Sequence, residues 1–267
     1  MFNLAVMKTL LLSIGLLLTV SCTGQQEEPT TVRILSFNIL HGATTKGDFD
    51  LDAIARVIIE ADPDFVALQE VDYKTKRAKG YDLVTELAWR CKLAGIFGRA
   101  MPYDGGEYGE GVLSRFSLLS SRNVGLPYSL GNEPRAALEI TTVLPSGDTI
   151  SFIGTHLDHL NEDTDRVQQT QAINKAFLSN AYPTILAGDL NAEPGSKPIN
   201  ILEEMWTAAY NRAALAFTYP SGKPEKKIDY VMYLPANRWR VAERRVINDT
   251  IASDHCAFLV VLELLPG

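Results

Sequence analysis

Four strand-like runs follow one another in the middle of the chain with no helical segment between them. They cover residues 111–113, 117–124, 136–143 and 149–155, and the turn-forming sequence Pro145-Ser146-Gly147-Asp148 separates the last two. Strands joined by a tight turn pair in an antiparallel manner. This stretch therefore predicts an antiparallel sheet.

Helical segments lie before and after these runs. Residues 51–61 have apolar side chains at helical spacing and stop before Asp62-Pro63, and residues 81–93 and 163–180 are also helical in character. Further strand-like runs cover residues 32–38, 65–68, 184–187, 228–233, 239–246 and 256–264. Many strands with few helices predict an α+β fold in which two packed, mostly antiparallel sheets are flanked by helices.

The N-terminus has the features of an export signal. Met7-Lys8 precedes the apolar run 9–20, and Thr19-Val20-Ser21-Cys22 resembles the bacterial lipobox, in which the cysteine is lipidated. We therefore expect a lipoprotein-type signal over residues 1–22, a polar flexible tether over 23–31 and one catalytic domain over 32–267. The expected location is the bacterial cell envelope, at the outer membrane or cell surface, with a membrane anchor at Cys22. The alternative is a simple secretory signal in which Cys22 is incidental.

The charge of the chain argues against one class of partner. The net charge is −7, so no basic footprint spans the domain, and tight binding to long nucleic acid is not favoured. Nucleic acid remains a possible partner because a bound metal ion could supply positive charge at the site. Cys91 and Cys256 form no metal-binding pattern with Cys22, and we expect both to be buried free thiols.

Six short polar motifs stand at the ends of strand-like runs. Glu70 follows an apolar run, where a carboxylate is costly unless it is paired or binds a metal. Alternation along a strand places His156 with Asp158 on one side, and Asp189 with Asn191. The motifs are, in order, Ser36-Phe37-Asn38, Leu68-Gln69-Glu70, Gly154-Thr155-His156-Leu157-Asp158, Gly188-Asp189-Leu190-Asn191, Ile228-Asp229-Tyr230-Val231 and Ser253-Asp254-His255. Each motif alone also suits a turn or a solvated strand end.

Together and in this order, the motifs resemble the endonuclease/exonuclease/phosphatase superfamily in its deoxyribonuclease I-like form. They extend over most of the chain, from Asn38 to His255. The resemblance implies a four-layered αββα sandwich. It also implies a metal-dependent hydrolase of phosphate esters. Hard oxygen ligands favour Mg²⁺, with Mn²⁺ or Ca²⁺ as possible substitutes.

The resemblance also implies a role for each residue. Glu70 would be the principal metal ligand, supported by Asn38 and completed or tuned by Asp254. Asp189 and Asn191 would contact the phosphate and orient the attacking water. His255, held by Asp229, would lie against the phosphoryl group, and His156 would donate to the transition-state oxygens or act as an acid. Whether His255 or Asp189 takes the proton of the water is left open.

A second set of residues is expected to bind substrate more weakly. Tyr108 precedes a Gly-x-x-x-Leu-Ser-Arg sequence that resembles a segment of the same superfamily, and Arg135 and Arg166 could reach a phosphate. Asp158 joins this set, and structural roles are the alternative for all four. Lys223, Lys226 and Lys227 form a small basic segment that could hold a phosphate-rich ligand.

The substrate expected from these features is a small or lipid phosphodiester outside the cytoplasm. One alternative is an extracellular nuclease that acts on DNA or RNA. Another is a binding module without catalysis, although all of the expected catalytic residues are present. A third is a zinc hydrolase that uses His156, His159 and His255, but the sequence lacks the usual helical pair of histidines.

Overall fold

The computed structural model describes residues 30–267. The strands are β1 (Thr30–Asn38), β2 (Phe65–Tyr73), β3 (Ala94–Tyr103), β4 (Gly106–Ser114), β5 (Leu118–Leu126), β6 (Arg135–Val143), β7 (Thr149–His156), β8 (Thr184–Asp189), β9 (Thr207–Ala208), β10 (Asp229–Leu234), β11 (Trp239–Ile247) and β12 (Ala257–Leu264). The α-helices are α1 (Leu51–Ala61), α2 (Leu83–Cys91), α3 (Thr164–Phe177) and α4 (Lys197–Glu203), and short 3-10 helices cover Leu40–Gly42 and Ala236–Arg238.

The strands form two six-stranded sheets. The order is β11-β12-β1-β2-β4-β3 in the first sheet and β5-β6-β7-β8-β10-β9 in the second. The pairs β1–β2 and β7–β8 are parallel, and the other pairs are antiparallel. The predicted mostly antiparallel sheets are therefore confirmed.

Apolar side chains on both faces of each sheet produce four layers. Between the sheets, Ile34 and Phe65 pack with Phe152 and Ile185, and the rings of Phe65 and Phe152 stack with centroids 5.1 Å apart. On the outer faces, α1 and α2 cover the first sheet, and α3 and α4 cover the second. This is the αββα sandwich expected from the sequence.

The first helix shows how local sequence sets its bounds. Asp50 precedes α1 and accepts hydrogen bonds from the backbone of Asp52 and Ala53, which caps the free N–H groups of the first turn. At the other end Asp62 adopts a left-handed conformation directly before Pro63. The observed helix, Leu51–Ala61, has the predicted bounds.

Strands β3 and β9, helix α4 and the two 3-10 helices were not predicted, and β2 and β4 are longer than predicted. The edge strand β3 contains Gly95, Gly98 and Pro102, and its burial does not alternate, so it has no clear strand pattern. Helix α4 has seven residues, too few for a periodic signal. Strand β2 continues through the polar residues after Leu68, because they are buried at the site described below.

The predicted signal, with Cys22, lies outside the described residues, as does the tether up to residue 29. Thr30 and Thr31, predicted as the end of the tether, belong to β1. Within residues 30–267, no helix has both the length and the apolar character needed to cross a bilayer. Cys91 and Cys256 are both free thiols as expected. Cys256 is buried as predicted, whereas Cys91, at the end of α2, is only half-buried.

Candidate active site

Strand register brings the central polar residues together at one edge of the second sheet. His156 ends β7 and pairs with Asp189, which ends β8. Asp189 also pairs with Asp229, which begins β10. The carboxyl ends of β7 and β8 and the amino end of β10 therefore place the three side chains next to one another.

The first sheet contributes Asn38 and Glu70 through a β-bulge. Asn38 ends β1 and pairs with Gln69 on β2. The register between β2 and β4 shifts between Leu68 and Val71, and Glu70 there has a φ of +56°. A non-glycine residue in this region is strained, and such residues concentrate at functional sites. The bulge leaves Gln69 buried and turns Glu70 into a cleft between the sheets.

Asp189 is the centre of the cluster. Its Oδ2 accepts a hydrogen bond from Asn38 Nδ2 at 3.2 Å and lies 3.5 Å from His156 Nε2 and 3.6 Å from His255 Nε2. Its Oδ1 accepts from the backbone N–H of Asn191 at 2.9 Å. Burial raises the pKa of Asp189, and the charge of His255 opposes this rise. The carboxylate is therefore held at a fixed position between two histidines.

Asp229 holds His255 from behind. The Nδ1 atom of His255 lies 3.2 Å and 3.3 Å from the two carboxylate oxygens of Asp229, and both side chains are buried. Burial alone would lower the pKa of His255, but Asp229 and Asp189 raise it to about 10. The carboxylate fixes the orientation of the ring, so the Nε2 atom faces Asp189 and the cleft.

The metal site expected from the sequence is centred on Glu70. Asn38 Nδ2 donates to Glu70 Oε1 at 3.1 Å, and His41 Nδ1 lies 3.5 Å from Oε2. Burial acts to raise the pKa of Glu70, but the contact with His41, the charge of His156 and the bond from Asn38 lower it to about 2. Asp254 also lines the cleft, and the charge of Glu70 helps burial to raise its pKa.

This donor set fits a hard divalent cation. It presents carboxylate oxygens to the cleft, and the pKa of Glu70 keeps that carboxylate charged. The amide of Asn38 donates to both Glu70 and Asp189, so it links the expected metal ligand to the expected catalytic carboxylate. A second group, formed by Asp189, Asp229 and His255, has one ligand atom from each residue within 4.8 Å of the others.

Arg135 lies behind His156 and is buried. Its Nη1 is 3.1 Å from His156 Nδ1, and its Nη2 is 3.1 Å from His159 Nδ1. Burial first, and then the charge of Arg135, lower the pKa of His156 well below its usual value. A guanidinium against the Nδ1 atoms of both rings disfavours a zinc ion held by these two nitrogens.

The cleft has a volume of about 940 Å³. The expected residues that line it are Glu70, Tyr108, Arg135, His156, Arg166, Asp189, Asn191, Asp254 and His255. Asn38 and Asp229 lie behind them as hydrogen-bonding partners. Asp158 is buried outside the lining, and Arg166 donates to its backbone carbonyl at 2.9 Å. These contacts describe structural support, and substrate contact by Asp158 and Arg166 stays a prediction.

Several residues at the site carried no decisive sequence signal. Tyr219 packs against the ring of His255, with centroids 4.7 Å apart. The hydroxyl of Ser253 donates to the backbone oxygen of Asn38 at 2.7 Å and accepts from the N–H of His255. His159 lines the cleft while remaining half exposed. Glu110 is fully buried, and among the described residues its carboxyl oxygens have no hydrogen-bonding partner.

The expected basic segment is only partly correct. Lys226 is exposed and lines the cleft, and Lys223 pairs with Glu225 at 2.8 Å. The prediction that Lys227 is a surface cation is wrong. Its ammonium is buried, donates to the backbone oxygen of Asp229 and lies 3.5 Å from the centroid of the Phe258 ring.

A two-sheet sandwich with carboxylates, histidines and amides converging at the strand ends defines a class of metal-assisted phosphoester hydrolases. A sequence model of the Endonuclease/Exonuclease/phosphatase family matches residues 35–255. The chain belongs to this family, and it is a phosphoric ester hydrolase of a generally divalent-metal-dependent kind.

Solved structures share the fold at low sequence identity. An endonuclease/exonuclease/phosphatase from Beutenbergia cavernae is 23% identical, with a TM-score of 0.72, and the match covers 88% of this chain and 72% of that one. A counterpart from Bacteroides vulgatus is 22% identical, with a TM-score of 0.72 and coverage of 88% and 100%. A mannosyl-6-phosphatase from Bacteroides thetaiotaomicron is 18% identical, with a TM-score of 0.67 and coverage of 88% and 100%.

Proposed function

We propose that the protein is a Mg²⁺-dependent hydrolase of small or lipid phosphodiesters that acts outside the cytoplasm from a lipid anchor at Cys22. The observation that supports the chemistry best is the position of Asp189, with His156 and His255 at 3.5 and 3.6 Å from one of its oxygens. The export signal in the sequence supports the location. The anionic chain supports a small or lipid substrate over long nucleic acid.

The residues of the chain divide the chemistry between the two sheets. Glu70, Asn38 and Asp254 would hold Mg²⁺, which would neutralise charge on the phosphoryl oxygens. His156 and Asn191 face the cleft as donors to these oxygens. Asp189 and His255 are the two groups placed to orient the attacking water and take its proton. Asn38, His156, Asp189 and His255 are buried, which strengthens their electrostatic effect on the transition state.

The first test of this proposal is a substrate panel. Protein that begins at Thr23 would be assayed with bis-p-nitrophenyl phosphate, p-nitrophenyl phosphate, plasmid DNA and phospholipid vesicles, with Mg²⁺ or with chelator. We expect Mg²⁺-dependent cleavage that is fastest with a small or lipid diester. Plasmid DNA as the best substrate would support an extracellular nuclease instead.

Two variants separate the roles in the same assay. His255→Ala removes a group at the reacting phosphate, so turnover should fall by about 10²- to 10⁴-fold. Glu70→Gln should instead raise the Mg²⁺ concentration needed for half-maximal rate. Near wild-type turnover by folded His255→Ala protein would contradict the assigned chemistry.

A further inference from the structure

Most of the positively charged side chains at the cleft already pair with other groups of the protein. Arg77 pairs with Asp72 through two bonds of 2.7 and 2.8 Å, and Arg166 donates to the backbone carbonyls of its own loop. Arg135 is buried against His156 and Glu133. Within residues 30–267, Lys226 is the one lysine or arginine lining the cleft whose side chain has neither an ion pair nor a hydrogen bond.

Carboxylate side chains line the same cleft on the side formed by the second sheet. Three carboxylates of this border form no ion pair with any residue between 30 and 267, namely Glu162, Asp163 and Glu193. They lie in the loops that follow β7 and β8, while Glu133, from the loop after β5, pairs with Arg135 at 2.9 Å. We call Glu133, Glu162, Asp163 and Glu193 the acidic border. Anionic groups beyond the reacting phosphate would meet like charges here.

Part of the backbone beside the acidic border is held by hydrogen bonds that are buried or partly buried. Asp165, at the start of α3, accepts bonds from the backbone and hydroxyl of Ser129 at 2.9 and 2.5 Å and from Asn132 at 2.7 Å. Arg166 donates to the carbonyls of Asp158 and Leu160. These contacts join the loops after β5 and β7, which carry Glu133, Glu162 and Asp163, and so fix the backbone positions of these three residues at the cleft. Such preorganised acceptors suit hydroxyl donors.

The first sheet forms the opposite side of the cleft, and this side is less polar. Met101 and Tyr103 line it, and the guanidinium of Arg77 lies 4.5 Å from the centroid of the Tyr103 ring. Tyr103 retains 38% exposure, so part of its ring is available to a ligand. An aromatic side chain with a polar tip can pack against the C–H face of a sugar or polyol while the hydroxyls point elsewhere.

We propose that the phosphodiester bound in the cleft has a single phosphoryl group and that one of its alcohols is uncharged and rich in hydroxyl groups, the chemical class of sugar and polyol phosphates, so that the phosphate monoester of that alcohol binds there as well. This inference rests on the proposed function, because it describes the alcohol part of the ester bound at that same site. The phosphoryl group lies at Asp189 and His255, and the hydroxyls donate to the acidic border. Oligonucleotides and alcohols with additional phosphates are excluded by charge.

Equilibrium binding tests this inference without relying on turnover. Calorimetry on the protein with Mg²⁺ at low ionic strength would compare a hexose 6-phosphate, a hexose 1,6-bisphosphate, n-butyl phosphate and a single-stranded DNA 12-mer. We expect the hexose 6-phosphate to bind at least tenfold more tightly than each of the others. The bisphosphate tests charge, and n-butyl phosphate tests the need for hydroxyls.

A charge-matched pair of double variants identifies the border as the cause. In Glu162→Lys/Glu193→Lys, affinity for the bisphosphate and the oligonucleotide should rise at least tenfold, and affinity for the hexose 6-phosphate should fall. Glu60→Lys/Glu204→Lys changes the net charge equally at exposed positions outside the cleft lining, and should leave the order of affinities unchanged.

The outcomes separate the two proposals. Equal or tighter binding of the bisphosphate, the oligonucleotide or n-butyl phosphate by the wild type would overturn the substrate class, as would no binding of the hexose 6-phosphate. Equal effects of the two double variants would do the same. Tenfold preference for the hexose 6-phosphate, in protein that cleaves no ester of the substrate panel, would support the substrate class and contradict the proposed hydrolysis.

Discussion

Asp229 is a buried side chain that can control His255 without lining the cleft itself. Both of its carboxylate oxygens contact His255 Nδ1, and it is absent from the cleft lining. It therefore acts by setting the orientation and charge of His255. Replacement of Asp229 by asparagine, a neutral residue of the same shape, separates these effects on His255 from the effect of packing.

We expect Asp229→Asn to lower turnover by about 10²- to 10⁴-fold with little change in fold. Loss of the carboxylate removes the largest stabiliser of the charged imidazole, so the pKa of His255 should fall from its raised value. NMR titration of His255 and the pH–rate profile would measure this. Asn248→Asp, at the surface, serves as a control for a carboxamide–carboxylate exchange. An unchanged His255 titration in Asp229→Asn would contradict this role.

The buried amino group of Lys227 should make the stability of the protein depend on pH. Burial lowers its pKa to about 7, against 10.5 as the usual value, and Asp229 only partly opposes this. Between these two values the unfolded chain holds a proton that the folded chain has lost, so stability rises with pH. This contribution is complete above the unfolded pKa and is lost as the pH falls through about 7.

The measurement is urea unfolding of the wild type and Lys227→Met at several pH values from 7 to 9.5. The free energy of unfolding of the wild type should rise relative to the variant by about 1.4 kcal/mol per pH unit. Lys226→Met, at the exposed neighbouring position, should follow the wild type. Parallel curves for the wild type and Lys227→Met would show that the ammonium has an ordinary pKa.

At the scale of elements, the parallel pair β7–β8 fixes the relative positions of His156 and Asp189. Gly188 pairs with Thr155 in this ladder, one residue before the pair His156 and Asp189. A Cβ atom built on Gly188 would lie 2.0 Å from the backbone oxygen of Thr155. The two backbones can approach this closely only because no side chain is present.

Gly188→Ala should therefore move the strands apart, with a cost of about 1–3 kcal/mol in stability from overpacking. Turnover should also fall, because His156 and Asp189 are displaced from one another. Thermal unfolding and steady-state kinetics would measure both effects. Gly125→Ala, on the exposed strand β5 with no atom within 4 Å of the added carbon, should change neither by comparison. Wild-type kinetics in Gly188→Ala would contradict the close-approach argument.

The same elements show what the sequence could predict. Helix α1 and the turn between β6 and β7 were predictable, because a capping Asp50 and a glycine at φ +89° determine local geometry. The order of the polar motifs predicted the residues of the site. The bulge at Glu70 and the burial of Lys227 were not predictable, since each depends on partners distant in the chain. Arg135 gave only a weak signal for the same reason, as its contacts with His156 and His159 exist only in the folded protein.

At the scale of the whole molecule, the site lies where the two sheets meet. Asn38 and Glu70 come from the first sheet and Asp189 from the second, and one amide group contacts both carboxylates at 3.1 and 3.2 Å. A cation held at Glu70 thus binds to residues on the side of the first sheet, Glu70 and Asn38 with Asp254 just before β12, and the Asn38 amide joins these to Asp189 of the second sheet. Its binding should stabilise the entire fold, because the unfolded chain offers no such site.

Mg²⁺ at 100 times its dissociation constant should accordingly raise the free energy of unfolding by about 2.7 kcal/mol, and both sheets should be stabilised together. Calorimetric unfolding with Mg²⁺ or chelator measures the shift, and hydrogen exchange of β1 and β8 amides reports each sheet separately. Glu70→Gln should lose the shift, whereas Glu60→Gln, on the exposed side of α1, should retain it. A Mg²⁺ shift of wild-type size in Glu70→Gln would place the cation elsewhere, with the Asp189, Asp229 and His255 group as the next site to test. Protection of the first sheet alone would show that the cation does not couple the two layers.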